Sequence, residues 1–432
     1  RLEPLSASLE RRGPGASPAR GSLLAAAARS NMPLWSRALG RRALAFGLLR
    51  RASCRSAASV QIPCFDIDEI RSPRPEADAD LFARIDRAYG PEGPGILCVR
   101  GGEIHEQVRR IRAQFLPQAM GLTELPAEVR ERLSDAETPL TNGLSRGAEV
   151  TDRAKSSFYY HPVTDTPAEY LLASAPRVPL FHNANLFPSE EELPGFKSAA
   201  REAAQFVVGV GHVLAQLIDR RLERVPGYAL GSLAATVRTG EDSNHKCRLL
   251  RYHPYETDEE VAKTKGMWAA PHLDTGSLTG LVPGVFLDGE GRSTSAPDEG
   301  TGLFVLDRRG EPLRAEVPPD AGEALLFQIG ESLQITSGGA LQATPHYVQG
   351  PRRPSPGGVS RCSLAIFMQP QPHEELPIPT GLSFLDVAAR SADRHLPEEW
   401  PSLEWRFKKL GLRAGDVLTF GQHGAVTFSN LG

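Results

Sequence analysis

The sequence predicts an α+β chain built around a β-sandwich or barrel. Segments with apolar residues at three- and four-residue steps crowd the first half, whereas short β-type runs fill the chain from about residue 246. The 41 glycines and 36 prolines among 432 residues argue against a mainly helical bundle. With 40% apolar and 23% charged residues the chain can bury a core. No run of about 18 uncharged apolar residues suggests a membrane span. A formal net charge of −3 does not predict a nucleic-acid binder.

The charge is unevenly spread. Residues 1–60 hold eleven arginines, no lysine and only Glu3 and Glu10 as acids, a balance of +9, so the remainder carries −3 − 9 = −12. From Met32, "MPLWSRALGRRALAFGLLRRASCRS" mixes Leu34, Trp35, Leu39, Leu44, Phe46 and Leu48 with five arginines up to Arg51. That is the composition of an organelle transit peptide and could form a basic amphipathic helix. The expected location is a mitochondrion or chloroplast, with the cytoplasm as the alternative if the leader is only a basic tail. The chain begins with Arg1, so Met32 is the expected start, with residues 1–31 an upstream translation artefact. Residues 1–60 are therefore set aside from the fold.

The elements then follow in order. "QIPCFDIDEI" (61–70) reads as a short extended run. In "PEADADLFARIDRAYG", Leu81, Phe82, Ile85, Ala88 and Tyr89 keep helical spacing up to Gly90. "GILCVRG" (95–101) is a strand between glycines, and "EIHEQVRRIRAQF" places Ile104, Val108, Ile111 and Phe115 on one helical face. Phe196 to Leu222 is the longest periodic segment, a helix suited to backing a sheet. The β-type runs are "RLLRY", "GSLTGLV", "TGLFVLD", "EALLFQI", "LQATPHYVQ" and "RCSLAIFMQ", with polar loops at 288–301 and 350–358. After residue 375 only a closing helix carrying Trp400, Leu403 and Phe407 is expected. The working division is a leader (1–60), an N-terminal helical region (61–235), a β-rich core (236–375) and a C-terminal extension (376–432).

Five widely spaced cysteines, Cys54, Cys64, Cys98, Cys247 and Cys362, lack any C-x-x-C and read as free thiols in a reducing compartment. Gly209-Val210-Gly211 begins a dinucleotide fingerprint, but it falls in mid-helix, where close helix packing is the better explanation. No phosphate-binding Walker loop or G-x-S-x-G elbow is present.

The informative segment is "WAAPHLDTGSLTGL". His272 and Asp274 stand one residue apart in a strand-like run, and alternation would direct both side chains to one face. H-x-D alone is common by chance. His346, the only histidine between Asp274 and His373, supplies a third ligand. Two histidines and one carboxylate form the triad that leaves open positions on non-haem Fe(II). Beyond it, Arg361 and Ser363 in "SRCSLAIF" share an inward face. A guanidinium there needs an anionic partner, either a bound acid or a fixed internal carboxylate such as Glu323. Its planar fork suits a carboxylate.

With these residues in place, the chain resembles the isopenicillin N synthase-like branch of the Fe(II)/2-oxoglutarate-dependent dioxygenases. The family pattern H-x-D, distal H and R-x-S is met by His272, Asp274, His346, Arg361 and Ser363. "HLDTGSLTGL" looks like the family's H-x-D-x-G-x-L-T-x-L. "ALLFQIGESLQITSGGALQATPHYV" looks like the long strand pair leading to the distal histidine. "IPCFDID", "GILCVRG" and "LFPSEEELPGFK" resemble the family's upstream segments. The likeness spans roughly residues 61–375. It implies a double-stranded β-helix, a distorted jelly roll, with an N-terminal helical region and a long backing helix. It also implies Fe(II) on His272, Asp274 and His346, and 2-oxoglutarate as cosubstrate on Arg361 and Ser363. The expected partners are a small organic substrate and dioxygen, acting on a monomer, with oxidation of a substrate C–H bond as the outcome.

Many members carry Asn-x-Tyr ahead of a Pro, with the Tyr contacting the 2-oxoglutarate carboxylate. Here "LLRYHPY" puts His253 at that Tyr position, with either Tyr252 or His253 expected to line the pocket. The alternatives are an isopenicillin N synthase-like oxidase that does not use 2-oxoglutarate, and a cupin-like metal-binding barrel without turnover.

Overall fold

The computed structural model describes residues 59–428, apart from 72–74, 148–153, 172–177, 179, 355–357, 399 and 414. The basic leader lies outside the described residues. Among the described residues no helix is long and apolar enough to cross a membrane.

Two sheets face each other. The smaller runs β1 (Ser59–Gln61), β11 (Pro312–Glu316), β10 (Gly302–Leu306), β13 (His346–Gln349) and β7 (Met267–His272). The larger runs β2 (Cys64–Asp66), β3 (Ile96–Arg100), β12 (Leu325–Ile329), β8 (Leu278–Leu287), β14 (Ser360–Met368), β6 (Lys246–Tyr252), β5 (Lys155–Tyr160) and β4 (Gly143–Arg146), with β9 (Ser293–Thr294) paired to β8. Apart from β1 on β11 and β2 on β3, which are parallel, every strand pair is antiparallel. Non-sequential neighbours in both sheets are the mark of a rolled sandwich rather than a meander.

The larger sheet has two different faces. Its outer face packs on helices, and the expected helix Phe196–Leu222 forms with those bounds, burying Ala203, Val207, Val210, Leu214, Leu217 and Ile218 among others. The helix can sit this close because of two glycines. A Cβ on Gly211 would lie 2.7 Å from Met368 Sδ, and one on Gly280 would lie 2.5 Å from Val207 Cγ1. Close packing therefore explains Gly211, whereas a Cβ on Gly209 would meet nothing within 4 Å. Its inner face meets the smaller sheet around Leu250, Tyr252, Trp268, Ala269, Val348 and Ala365.

Helices form over Pro75–Tyr89 and Ile104–Arg110, the latter continuing as a π-helical turn, Ile111–Phe115. Ile104, Val108, Ile111 and Phe115 are all buried, as their spacing predicts. Leu403–Lys409 is the closing helix, started by the Ser402 hydroxyl accepting from the Trp405 N–H. Leu403 and Phe407 pack with Phe384, Leu418 and Phe420 in a separate C-terminal core, whereas Trp400 packs on the main one.

Several expectations are corrected. The extended run at 61–70 breaks at Pro63 and turns helical at Ile67–Arg71, because Asp66 Oδ1 accepts from the Asp68 N–H (3.0 Å). The "long strand pair" before His346 is two strands in different sheets. Between them Gly330 leaves the β12 edge and Glu331–Thr336 forms a short helix. Cys64 and Cys98, aligned across β2 and β3 with Cα atoms 4.5 Å apart, are joined in a disulfide. Thirty-four residues of separation gave no motif for it, since only the strand register brings them together. The free-thiol expectation holds for the buried Cys247 and Cys362.

Candidate metal centre and carboxylate clamp

His272 and His346 face each other across the smaller sheet. They are register partners on β7 and β13, with ring centroids 4.3 Å apart. Each Nδ1 is committed to a backbone carbonyl: His272 donates to Ala270 O (2.8 Å) and His346 to Thr344 O (3.2 Å). A carbonyl can only accept, so the proton sits on Nδ1 and each Nε2 presents a lone pair. Burial, then the neighbouring His346, lowers the His272 pKa to about 4, so its imidazole is neutral near pH 7.

Asp274 completes the group by a route that alternation did not predict. β7 ends at His272, and Asp274 lies in the turn beyond it. The turn is pinned from outside: Glu331 N–H donates to Asp274 O (2.8 Å), and Ser332 Oγ donates to Thr275 O (2.6 Å). Thr279 Oγ1 donates to Asp274 Oδ2 (2.7 Å), which leaves Oδ1 turned to the histidines, 3.8 Å from His272 Nε2 and 3.9 Å from His346 Nε2. One ligand atom from each of the three residues lies within 4.8 Å of the others, a group that fits a single cation. Two imidazoles and one carboxylate are the donor set of a non-haem Fe(II) site with open positions.

The three side chains line a cavity of about 80 Å³ between the sheets, together with Tyr252, Gln328, Arg361 and Ser363. Lys155 and Arg248 also line it, so cations outnumber the single Asp274 carboxylate among the charged groups of an otherwise largely apolar wall. Arg361 and Ser363 do share a face, and Arg361 Nη1 donates to Ser363 Oγ (3.3 Å). No described carboxylate forms an ion pair with Arg361, and its pKa is lowered, first by burial. Glu323 is not its partner, since that carboxylate is bound by Arg112. The guanidinium instead lies 5.4 Å from the Tyr252 ring centroid. Gly284 makes room for it, because a Cβ there would stand 2.7 Å from Arg361 Cζ.

The choice between Tyr252 and His253 is resolved by strand parity. Tyr252 faces the cavity and stacks on Trp268 (5.6 Å, 22°), whereas His253 points away and hydrogen-bonds Ser156 Oγ (2.8 Å). Sequence reasoning missed Thr279 and Gln328, both on the cavity wall. Their signal was a polar residue at an inward position of an otherwise apolar strand. It also missed the Glu331 brace behind Asp274, for which the sequence carries no local sign.

No protein-family model matches the chain, and no curated protein matches it. Solved structures do. A full-length Neurospora crassa protein in complex with alpha-KG and 5-formyluracil aligns with a TM-score of 0.56 at 16% identity, covering 86% of this chain and 96% of that one. A Caulobacter crescentus protein described as of the 2OG-Fe(II) oxygenase family gives 0.54 at 19% identity, covering 85% and 98%. JOX2 in complex with 2OG, Fe and JA gives 0.50 at 16% identity, covering 86% and 90%. The likeness extends over most of each chain, and at these identities it shows a fold shared with proteins described as 2OG-Fe(II) oxygenases or solved with 2OG and Fe.

Proposed function

We propose that the chain is a non-haem Fe(II)- and 2-oxoglutarate-dependent oxygenase that oxidises a C–H bond of a small organic molecule. One observation carries this reading: His272, Asp274 and His346 face Arg361 and Ser363 within a single cavity. A structural metal needs no clamp for a dicarboxylate, and a buried Arg361 without a described acid partner is costly unless an anion arrives. Neighbours of the same fold carry alpha-KG, or 2OG with Fe, which supports the same pairing here.

When bound, iron and the 2-oxo acid supply the oxidising chemistry, with dioxygen reduced as 2-oxoglutarate is converted to succinate and carbon dioxide. The chain's own residues do the positioning. His272 and His346 offer their Nε2 atoms, and Asp274 offers a carboxylate oxygen. Thr279 fixes the Asp274 carboxylate, so that Oδ1 rather than Oδ2 faces the histidines. Arg361 and Ser363 take the far carboxylate of the cosubstrate, and Tyr252 supports the guanidinium with its ring. Leu250, Val348 and Ala365 keep the space between these groups apolar, which limits water at the reacting centre.

The test is uncoupled turnover. Purified protein with Fe(II), ascorbate, dioxygen and 2-oxoglutarate should release succinate slowly without added substrate, and His346→Ala should abolish the release. Fe(II)-dependent dioxygen consumption that ignores 2-oxoglutarate would move the chain to the cosubstrate-independent oxidases.

A further inference from the structure

Gln328 is the unexplained side chain of the cavity. Other polar groups on the wall are engaged: Thr279 with Asp274, both histidines with backbone carbonyls, Arg361 with Ser363. Gln328 is 1% exposed, yet neither its Nε2 nor its Oε1 has a hydrogen-bond partner. Burying a carboxamide with neither end satisfied is unfavourable. The strand does not demand it. Leu326, two residues earlier on the same face, lines the cavity as a plain apolar residue, and a leucine at 328 would avoid the cost. A group that enters the cavity must therefore meet the amide.

Its place in the sheet says which group. Gln328 on β12 is the register partner of Thr279 on β8, and paired residues present their side chains on one face. Thr279 in turn holds Asp274 Oδ2, so Gln328 stands at the metal end of the cavity. Arg361 stands at the other end. The β14 residue paired with Thr279 is Phe367, six positions from Arg361, or about 20 Å along the strand. Gln328 therefore cannot share the carboxylate that the guanidinium binds, and meets the opposite end of a ligand that spans the cavity.

We propose that Gln328 is a binding residue for the metal-side carboxylate of the 2-oxo acid, its Nε2 donating to the carboxylate next to the keto group. This rests on the Fe(II)/2-oxoglutarate reading given above. It divides recognition of the cosubstrate between two ends: Arg361 and Ser363 read the far carboxylate, and Gln328 reads the chelating end that all 2-oxo acids share.

That division gives the experiment. The intact protein is titrated anaerobically, in the presence of Fe(II), with 2-oxoglutarate and separately with pyruvate, which lacks the far carboxylate. The visible charge-transfer band of the chelate is followed. Gln328→Leu should weaken both ligands by a similar factor, about tenfold, while leaving Fe(II) affinity unchanged. Arg361→Lys should weaken 2-oxoglutarate alone. Gln328→Glu, which keeps the shape and adds a like charge, should weaken both ligands further, and it serves if the leucine variant does not fold. Unchanged affinity for both ligands in a folded Gln328 variant, or loss of 2-oxoglutarate binding with pyruvate spared, overturns the role of Gln328. If the wild type itself gives no band with either ligand, the oxygenase reading fails first.

Discussion

Arg406 donates through Nη1 and Nη2 to both carboxylate oxygens of Glu331, and neither side chain is exposed at all. Thr427 accepts a second bond from Nη1 (2.8 Å), and His423 Nε2 lies 3.5 Å from Glu331 Oε2. The pair ties the C-terminal helices to the residue whose N–H holds the Asp274 carbonyl. The extension beyond residue 375 is thus a brace behind the metal site. Breaking one side of a buried pair strands the other charge. Arg406→Met should cost about 3–5 kcal/mol in chemical denaturation, while Glu331→Met combined with Arg406→Met should recover most of that loss. Equal losses in the single and double variants would contradict it.

The same pair sets an acid limit. Burial alone would raise the Glu331 carboxyl, but Arg406 and His423 outweigh burial and hold it at about 2, below its ordinary 4.5. A carboxylate with a depressed folded-state pKa contributes stability that is fully present above its unfolded value and is lost as pH falls through the folded one. Wild-type stability should fall between about pH 5 and pH 2. The doubly apolar Met variant should show a shallower fall in the same window, by denaturation at stepped pH.

Thr279 orients the carboxylate of Asp274 without touching a metal itself. Thr279→Val removes that donor at nearly constant volume. Fe(II) affinity should drop about 10- to 100-fold with the melting temperature little changed, as measured by anaerobic competition with a chelating dye. An unaltered affinity would show that the turn alone orients Asp274.

Arg361 is placed by Tyr252 on one side and Gly284 on the other. Arg361→Lys should weaken 2-oxoglutarate binding by about 1.5–3 kcal/mol, since a point charge cannot replace a planar fork. Gly284→Ala should weaken it too, by displacing the guanidinium without changing its charge. Calorimetry with the Fe(II)-loaded protein checks both, and a Gly284→Ala variant with wild-type affinity would show that the Arg361 position is adaptable.

Targeting by the basic leader remains a proposal of its own. Eleven arginines against two acids in residues 1–60 suit import into a mitochondrion, where the potential contributes about 2.3 kcal/mol per charge at 100 mV, or into a plastid. A fluorescent fusion of residues 32–66 should enter the organelle and be shortened there. Diffuse cytosolic signal at full length would defeat the targeting reading and leave the site untouched.

What was legible in the sequence was whatever depends on short-range period. The helix Phe196–Leu222 shows a sustained 3.6-residue pattern, and the five residues His272, Asp274, His346, Arg361 and Ser363 stand in a spacing specific enough to name a fold. Their convergence on one cavity follows from strand pairing, as between His272 and His346. What was not legible depends on register between distant segments. Cys64 meets Cys98 only because β2 lies beside β3, and Glu331 meets Arg406 across 75 residues of chain. Asp274 is instructive in both respects. The sequence identified it as a ligand through strand alternation, but the strand stops at His272, and an external hydrogen bond to its backbone sets its position.

The central claim is that one cation on His272, Asp274 and His346 and one 2-oxo acid on Arg361 and Ser363 occupy the same cavity. Anaerobic titration of the purified protein with Fe(II) and 2-oxoglutarate, followed by visible absorption, tests it most directly. The account predicts a weak charge-transfer band that saturates at one iron per chain, needs both components, and is absent in His272→Ala, Asp274→Ala and His346→Ala. Tight iron binding that survives any two of those single substitutions, or 2-oxoglutarate binding with no band, would contradict it.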